Sequence, residues 1–385
     1  MKICLINNLY KPYARGGAEV VVEQTVLGLR RSGHSVVVIT THPNKEASFS
    51  EENSVKIYRF RPLNLFYYTD ASKYNFVLRL IWQVINLYNF KASKVVKEIL
   101  IREKPELVIT HNLMGISFLL PKLIKKLEIK HFHVLHDVQL SVPSGLILHG
   151  KENSLMVKGP FANIYTSICR RLFASPDVVI SPSKWLLHFY EKKSFFANSH
   201  KVVIRNPVDS VLKKKFERQK NSEYVFVGQL EKHKGIKWLV NFWQEKPQKG
   251  KLHIVGDGSL GKSDLKRGNV QLHGRLIKEQ LEKVFAQASY LIVPSLCYEN
   301  SPTVISIAYA YGLPVIVADV GGAGELVEPE RTGWLFQAKD KSSLSQVLAK
   351  VDSVSEEEYI QMSERCLEKV KNYNLEEYIK KILSM

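Results

Sequence analysis

The stretch that decides the fold is Tyr290 to Ile316, YLIVPSLCYENSPTVISIAYAYGLPVI. A short apolar strand runs into a lone carboxylate, Glu299, and a helix and a second apolar strand follow. Ser301 is a good N-cap and Pro302 a good first helical residue, so we expect the helix to begin there with its first N–H groups free. A carboxylate beside the open end of a helix would bind hydroxyls and an anion together, as a sugar phosphate presents them.

Strands and helices alternate on both sides of this stretch, a pattern typical of parallel sheets covered by helices. The predicted strands are KICLINN, SVVVIT, ELVIT, FHVLHD and DVVIS in the first half, and YVFVG, LHIVG, VQLHG, YLIVPS and PVIVAD in the second. Each half opens with a strand, a glycine-containing loop and a helix. We therefore predict two doubly wound, Rossmann-like α/β domains.

The length of 385 residues suits two domains of nearly equal size, which implies a central cleft between them. Segment 206–223 is polar and basic and precedes a fresh strand. We therefore predict an N-terminal domain over residues 1–205 and a C-terminal domain over residues 206–385. The last helix, about residues 372–385, can pack on its own domain or back on the first one.

The charge balance is strongly basic, with 55 Lys and Arg against 37 Asp and Glu and a net charge of +18. Such an excess favours an anionic bilayer surface or a polyanion as a neighbour, although solubility explains it equally well. Nucleic-acid binding would rest on charge alone, without a recognisable motif, so we predict no nucleic-acid partner.

Segment Leu65 to Leu100 mixes aromatic residues with lysines. Its apolar run, Phe76 to Tyr88, is shorter than the ~20 residues that a membrane-spanning helix needs. Two interpretations stay open on the sequence alone: the segment touches an anionic membrane surface, or it is a core helix with a solvated face.

The four cysteines lie far apart and form no CxxC pair, which argues against a zinc site and a disulfide framework. The N-terminal MKICLINN is typical of a first strand and not of a secretion signal. We expect a cytoplasmic protein, bound peripherally to the inner face of the plasma membrane if the membrane interpretation holds.

Ligands in open α/β sheets bind beyond the carboxyl ends of the strands, so the loops there carry the candidate residues. Gly16 and Gly17 precede the first helix, and a phosphate could approach their N–H groups, although a tight turn is the plainer alternative. Lys234, just ahead of a helix that starts near Gly235, could direct its ammonium at a diphosphate. A lone lysine there would more often be a surface residue.

A literal G-x-G-x-x-G occurs at Gly256, Gly258 and Gly261 after a predicted strand. Only KSDLKRG separates it from the next strand, too little for the helix on which a pyrophosphate would rest. An NAD-dependent oxidoreductase is therefore a weak alternative.

Five motifs, in their order and spacing, resemble retaining glycosyltransferases of family 4, which have the GT-B fold: VGQLEKHKG, VGDG, VQLHGR, YENSPTVISIAYAYGLPVIVADVGGAGELV and TGWLF. The resemblance is close from Tyr224 to Phe336 and thinner over the first domain, where GGAE, GHSVVVIT, LHD and SPSKW carry it. It implies that the second domain binds a nucleotide-sugar donor and that the first binds a saccharide or lipid-linked saccharide acceptor, in cell-envelope polysaccharide or glycolipid synthesis.

The resemblance also implies roles for individual residues. His136 would lie over the reacting sugar, Lys234 would neutralise the diphosphate and Glu299 would bind sugar hydroxyls, which makes these three the expected catalytic set. His111 is a weaker candidate, because a histidine after a buried strand is more often structural. The expected donor-binding set is Gly16, Gly17, Gln229, Lys234, Arg275, Glu299, Asn300, Ser301, Thr303, Val304 and Ile307.

Two positions depart from the family pattern. The family usually has an arginine where this chain has Gln229, and a second glutamate, for the ribose hydroxyls, where it has Ile307. Losing one charge-assisted phosphate contact removes about 1.5 to 3 kcal/mol. A degenerate GT-B protein that binds nucleotide, glycan or a partner without turnover is therefore the alternative function. Because no Asp-x-Asp occurs, we predict no metal requirement, and no other cofactor.

Overall fold

The computed structural model describes residues 1–14, 16–209, 218–246, 250–265 and 268–385. Residues 210–217 of the predicted linker, Arg15 of the first glycine loop and residues 266–267 lie outside them. The chain divides into two compact units. Unit 1 consists of Met1–Leu146, Asn153–Pro207 and Leu375–Met385, and unit 2 of Ile147–Glu152 and Val208–Asn374.

Unit 1 is built on a mostly parallel sheet. Within the described residues its strands are β1 (Lys2–Ile6), β2 (Ser35–Thr41), β3 (Ser48–Glu52), β4 (Val55–Phe60), β5 (Leu107–Thr110), β6 (Lys130–Val134), β7 (Val178–Ser181) and β8 (His200–Val203). Their spatial order is β3-β4-β2-β1-β5-β6-β7-β8, and only the β3–β4 pair is antiparallel. The order reverses between β1 and β5, where such folds bind ligands.

Except for one helix that follows Leu119, the helices of unit 1 up to residue 191 begin at polar or glycine caps. They are α1 (Gly17–Arg31), α2 (Phe76–Leu87), α3 (Phe90–Glu103), α4 (Leu120–Lys126), α5 (Leu155–Lys158), α6 (Pro160–Phe173) and α7 (Lys184–Glu191). The side chains of Asn75, Asn89 and Ser183 accept hydrogen bonds from backbone N–H groups of α2, α3 and α7. The apolar side of α1, with Val22, Val26 and Leu29, packs on the sheet.

Unit 2 repeats the design with a fully parallel sheet. Its described strands are β9 (Tyr224–Val227), β10 (Leu252–Val255), β11 (Val270–Gly274), β12 (Tyr290–Val293), β13 (Val315–Ala318) and β14 (Gly333–Phe336). Its described helices are α8 (Ile236–Glu245), α9 (Lys262–Leu265), α10 (Lys278–Gln287), α11 (Thr303–Ala310), α12 (Lys341–Ser353) and α13 (Glu356–Lys371). The strand order β11-β10-β9-β12-β13-β14 reverses between β9 and β12, so the loops after these two strands flank the switch point.

The last helix, α14 (Leu375–Leu383), belongs to unit 1. Its apolar side, with Leu375, Ile379 and Ile382, is buried in the core of unit 1 beside α1. Gly28 of α1 permits this contact, because a Cβ there would lie 2.5 Å from Cγ1 of Ile379.

The structure differs from two sequence predictions here. Residues 147–152, predicted in the first domain, belong to unit 2, because Leu148 forms a bridge with Cys297 and the His149 N–H donates to the Leu296 carbonyl at 2.9 Å. The strand predicted over FHVLHD ends at Val134, so His136 lies in the loop that follows.

The described helices contain no segment that is both long enough and apolar enough to cross a membrane. All four cysteines are buried as free thiols.

Candidate active site

Two loops of unit 2 meet at the switch point. Lys234 ends a 3-10 turn after β9, and Glu299 lies in the loop after β12. Lys234 Nζ donates to Glu299 Oε1 at 2.6 Å, and the Leu296 N–H donates to the His233 carbonyl at 2.8 Å. Gly235 has φ +75°, and a Cβ there would lie 1.8 Å from the Pro294 carbonyl oxygen. Only glycine therefore lets the two loops pack this closely.

Glu299 is nearly buried and ionised. Burial alone would raise its pKa, but the Lys234 ammonium and hydrogen bonds from Lys234 and Ser295 bring the pKa below the ordinary value. For Lys234, burial acts to lower the pKa, and the Glu299 carboxylate outweighs it and raises the pKa. Ser295 Oγ also donates to Oε1, at 2.8 Å, and Oε2 has no donor among the residues described. Oε2 is thus the oxygen that can accept from a ligand hydroxyl.

A third loop, after β13, fixes the backbone of Glu299. Gly322 N–H donates to the Glu299 carbonyl at 2.6 Å, and Glu299 pairs with Gly321 in an isolated parallel bridge. Gly321 has φ +74°, and a Cβ there would lie 2.3 Å from the Glu299 carbonyl oxygen. The sequence analysis missed Ser295 and Gly321, although the glycine pair in VGGAGE was a visible signal.

The helix after Glu299 begins one residue later than predicted. Pro302, not Ser301, is the N-cap of α11, with an extended backbone at ψ 113°. No side chain caps the helix, because the proline ring has no hydrogen-bond acceptor. Within the part of the chain that the structure describes, the N–H groups of Thr303 and Val304 have no protein acceptor. The first N–H groups of α11 are therefore free, as the sequence predicts, although the N-cap is one residue later than predicted.

The other predicted donor residues of unit 2 occupy different places. Asn300 and Ser301 join Glu299 to α11, and Ile307 lies one turn after Thr303 on the same partly exposed face. Gln229 is the second residue after β9. Arg275 is exposed after the edge strand β11, two strands away from β9.

The glycines of the G-x-G-x-x-G have a packing role. A Cβ on Gly256 would lie 1.8 Å from the Gly228 carbonyl oxygen, and one on Gly258 would lie 2.6 Å from that of Leu230. These glycines let the loop after β10 pack on the loop after β9. In the helix that follows, α9, the structure describes the four residues Lys262–Leu265, and β11 begins at Val270, which leaves too little helix for a dinucleotide site.

In unit 1, the loop after β1 differs from expectation in one respect. Gly17 is the first residue of α1, and Gly16 is its N-cap. The Gly16 N–H, expected to meet phosphate, already donates to Glu19 Oε2 at 2.6 Å. A phosphate would have to displace this carboxylate, because the two anions repel each other.

His136, predicted over the reacting sugar, is paired with the weaker candidate. His111 Nδ1 and His136 Nε2 lie 2.9 Å apart, with the rings stacked. Burial lowers the pKa of His136 to about 4 and that of His111 well below 6.5, so both rings are neutral at pH 7 and one donates to the other. His111 is 1% exposed and its Nε2 has no partner among the described residues, so the pair fixes the orientation of His136.

Unit 1 also contains a cavity of about 610 Å³ that the sequence analysis did not predict. Its lining includes Tyr13 after β1, His42 after β2, and Glu52 and Arg59 of the β3–β4 hairpin. Arg59 is buried, donates to Ser50 Oγ at 2.8 Å, and lies 3.5 Å from Glu52. This mixture of aromatic, hydroxyl and charged groups is suited to a hydroxyl-rich ligand.

Comparison with known proteins agrees with this architecture. Residues 15–211 match the family model described as Glycosyltransferase Family 4, and residues 221–351 match Glycosyl transferases group 1. An "uncharacterized 42.6 kDa protein in cps region" of Klebsiella pneumoniae is 30% identical over 332 residues, 85% of this chain and 87% of the relative. Lipopolysaccharide 1,6-galactosyltransferase of Escherichia coli is 30% identical over 167 residues, 38% of this chain and 45% of the relative.

Two solved structures share the whole fold. Sucrose-phosphate synthase from Thermosynechococcus elongatus aligns over 100% of this chain and 97% of its own, with a TM-score of 0.72 and 20% identity. Anabaena HepE in complex with UDP aligns over 100% of this chain and 99% of its own, with a TM-score of 0.69 and 16% identity. The two Rossmann-like units define the chain as a GT-B glycosyltransferase. It belongs to Glycosyltransferase Family 4.

Proposed function

We propose that the protein moves a sugar from a nucleoside-diphosphate sugar to a saccharide or lipid-linked saccharide acceptor, with retention of the anomeric configuration, in cell-envelope polysaccharide or glycolipid synthesis. The observation that carries the proposal is the Lys234–Glu299 pair, held at 2.6 Å at the switch point of unit 2, with the uncapped end of α11 following Glu299 closely in the chain. An ammonium and free amides suit a diphosphate, and Glu299 Oε2 suits sugar hydroxyls.

The names of several relatives support the substrate classes. A UDP-Gal:alpha-D-GlcNAc-diphosphoundecaprenol alpha-1,3-galactosyltransferase of Escherichia coli is 30% identical over 138 residues. The Klebsiella relative is named for a cps region, and the HepE structures contain UDP or UDP-glucose. These proteins therefore support a nucleotide donor and a saccharide or lipid-linked acceptor for this chain.

The charges at the site determine how it would bind the diphosphate and stabilise it as it leaves. Because Lys234 and Glu299 neutralise each other, attraction for a diphosphate depends on the two ammonium protons that do not face Glu299 and on the amide dipoles of α11. As the bond between the anomeric carbon and the diphosphate oxygen breaks, its electron pair leaves with the diphosphate, and these donors stabilise the growing charge. The acceptor oxygen bonds to the same face of that carbon, and its proton passes to the departing phosphate oxygen.

We infer that the acceptor binds in the cavity of unit 1. Tyr13 can stack on a sugar ring, while Glu52 and Arg59 can accept from and donate to its hydroxyls. In that arrangement His136, kept neutral and oriented by His111, acts near the reacting sugar. No step in this mechanism uses a metal ion, so we propose metal-independent transfer.

The degenerate alternative has a structural basis in Ile307. Its apolar side chain lies on the partly exposed face of α11, one turn after Thr303, where it can offer no oxygen to a ribose hydroxyl. Such a protein would bind nucleotide, glycan or a partner without turnover.

A donor panel tests the proposal. A nucleotide sugar present at a hundredfold excess over its Kd stabilises the protein by about 2.7 kcal/mol, and we expect one donor to raise Tm accordingly. That donor should be hydrolysed slowly by the wild type and by Glu368→Gln, a surface control, but not measurably by Glu299→Gln.

The outcomes separate the alternatives. A Tm shift without hydrolysis or transfer to any acceptor supports the degenerate protein. No shift with any donor refutes both the transferase and a degenerate protein that binds nucleotide. Loss of activity in EDTA that manganese restores would refute metal independence.

A further inference from the structure

Three helices of unit 1, α2, α5 and α6, expose large apolar side chains to solvent. Phe161 is 87% exposed and Leu155 is 81% exposed, values more usual for lysine than for a large apolar residue. We call the whole set the apolar face, and it consists of Phe76, Val77, Leu80, Ile81 and Val84 on α2, Leu155 and Met156 on α5, and Phe161 and Ile164 on α6.

Helix α2 is fixed with its apolar stripe outward. The stripe repeats at i, i+4 and i+8, whereas Trp82 and Asn86 on the opposite side are buried. Trp82 Nε1 donates to the Phe66 carbonyl at 2.8 Å, and Asn86 Oδ1 accepts from the Gly115 N–H at 2.6 Å. Since rotating the helix would break these buried hydrogen bonds, the apolar stripe of α2 stays exposed. The core-helix interpretation fits α3 instead, which buries Val96, Ile99 and Leu100 and exposes lysines on its other side.

The stripes of α2 and α6 adjoin. Gln83 Nε2 on α2 donates to Tyr165 Oη on α6 at 2.8 Å, and Leu80 and Phe161 lie one turn before these two residues. Side chains of this size, about half exposed or more, present on the order of 100 Å² each, so the nine present roughly 900 Å², more than the largest apolar patch of a typical monomer.

The helices that carry the apolar face are basic. Together, α2, α5 and α6 contain four basic residues and no acidic residue. The four are all exposed: Arg79, Lys158, Arg170 and Arg171. Helix α3, the next in the chain after α2, adds three exposed lysines but also the exposed Glu98.

From this combination we propose that the apolar face docks on an anionic lipid bilayer. Amphipathic helices with basic residues beside an apolar stripe lie in the membrane interface, with the stripe among the acyl chains and the cations among the headgroups. The four cations on these helices complement a negative surface, and the lack of acidic residues on the same helices disfavours a second copy of the same face as the occupant. The proposal stands on the exposed faces and does not require the transferase activity.

Flotation of the full chain with vesicles tests this directly. We expect binding to phosphatidylcholine vesicles that contain phosphatidylglycerol, at least tenfold weaker binding to phosphatidylcholine alone, and weakening as salt increases. The double variants Leu80→Ser/Val84→Ser and Leu155→Ser/Phe161→Ser should each bind at least about tenfold more weakly. Arg79→Gln/Lys158→Gln should lose roughly tenfold to thirtyfold.

A matched control lies in unit 2. Ile277 is 63% exposed, close to the 62% of Val77, so Ile277→Ser should bind vesicles like the wild type. Because all the substituted residues are exposed, unchanged circular dichroism spectra and Tm values are expected.

Three results would overturn the proposal. They are equal binding to neutral and anionic vesicles, binding to neither, and wild-type binding by all three double variants. A dimer in analytical ultracentrifugation that the apolar variants abolish would assign the face to a second copy instead.

Discussion

Replacing Glu299 by glutamine should destabilise unit 2 through the loss of one ion pair. At 2.6 Å and an effective dielectric constant of about 20, the attraction between Lys234 and Glu299 is roughly 6 kcal/mol. Both groups lose most of their hydration, which offsets more than half of that. We expect Glu299→Gln to lower the free energy of unfolding by about 2 kcal/mol at pH 7, in the range measured for charge-assisted hydrogen bonds.

Hydrogen exchange with mass spectrometry can assign the effect to unit 2. A loss of 2 kcal/mol accelerates exchange through unfolding by about thirtyfold, and it should appear in peptides from β9 and β12 but not in those from β1 or β5. The control is Glu368→Gln, which removes an exposed partner of Lys371 on α13 and should change stability by less than about 0.5 kcal/mol.

The pH dependence gives a second check. The pKa of Glu299 is below its ordinary 4.5, so its contribution is complete above pH 4.5 and disappears as the pH falls through the lower folded-state value. The pKa of Lys234 is above 10.5, so its contribution is complete below that pH and disappears above the raised value. The difference between wild type and Glu299→Gln should therefore be flat between these limits and shrink outside them. A difference that does not shrink as the pH falls below 4.5, or one below 0.5 kcal/mol at pH 7, would refute the reasoning.

Three further predictions concern other sites. Gly28→Val should destabilise unit 1 by about 1 to 3 kcal/mol in thermal unfolding, because its methyls meet α14, whereas Gly261→Ala, with no neighbour closer than 3.7 Å, should have little effect. Ile307→Glu should tighten binding of the preferred donor about tenfold in calorimetry, and unchanged affinity would refute a ribose contact. His111→Ala should lower kcat at least about tenfold with the donor KM unchanged, because His136 loses its partner, and His111→Asn should restore part of it.

The buried strands were the most predictable part of the fold. YVFVG, LHIVG, YLIVPS and PVIVAD end within two residues of β9, β10, β12 and β13, because parallel strands covered on both faces are continuous apolar runs. The β3 strand, SFSEE, was missed because it is a polar, exposed edge strand whose sequence lacks that signal. β14 has the apolar sequence GWLF, but its strand character was not assigned.

The residues of the site could be predicted from the sequence, but the contacts between them could not. Lys234 and Glu299 could each be placed in a loop after a strand, yet their hydrogen bond depends on β9 and β12 being neighbours, which local sequence does not encode. The partner of Gly16 did have a local signal, because a glutamate three residues after an N-cap commonly binds its N–H. The start of α11 was misplaced by one residue, because Ser301 and Pro302 are both suitable as helix-start residues.

The position of α14 reverses the order in which the two units can be completed during synthesis. Unit 2 has all its residues once position 374 has emerged, whereas unit 1 still lacks the helix that covers α1. At about 5–20 residues per second, the ribosome needs roughly 10 to 30 s to make unit 2, and the groove at Gly28 is open to other chains and chaperones throughout that time.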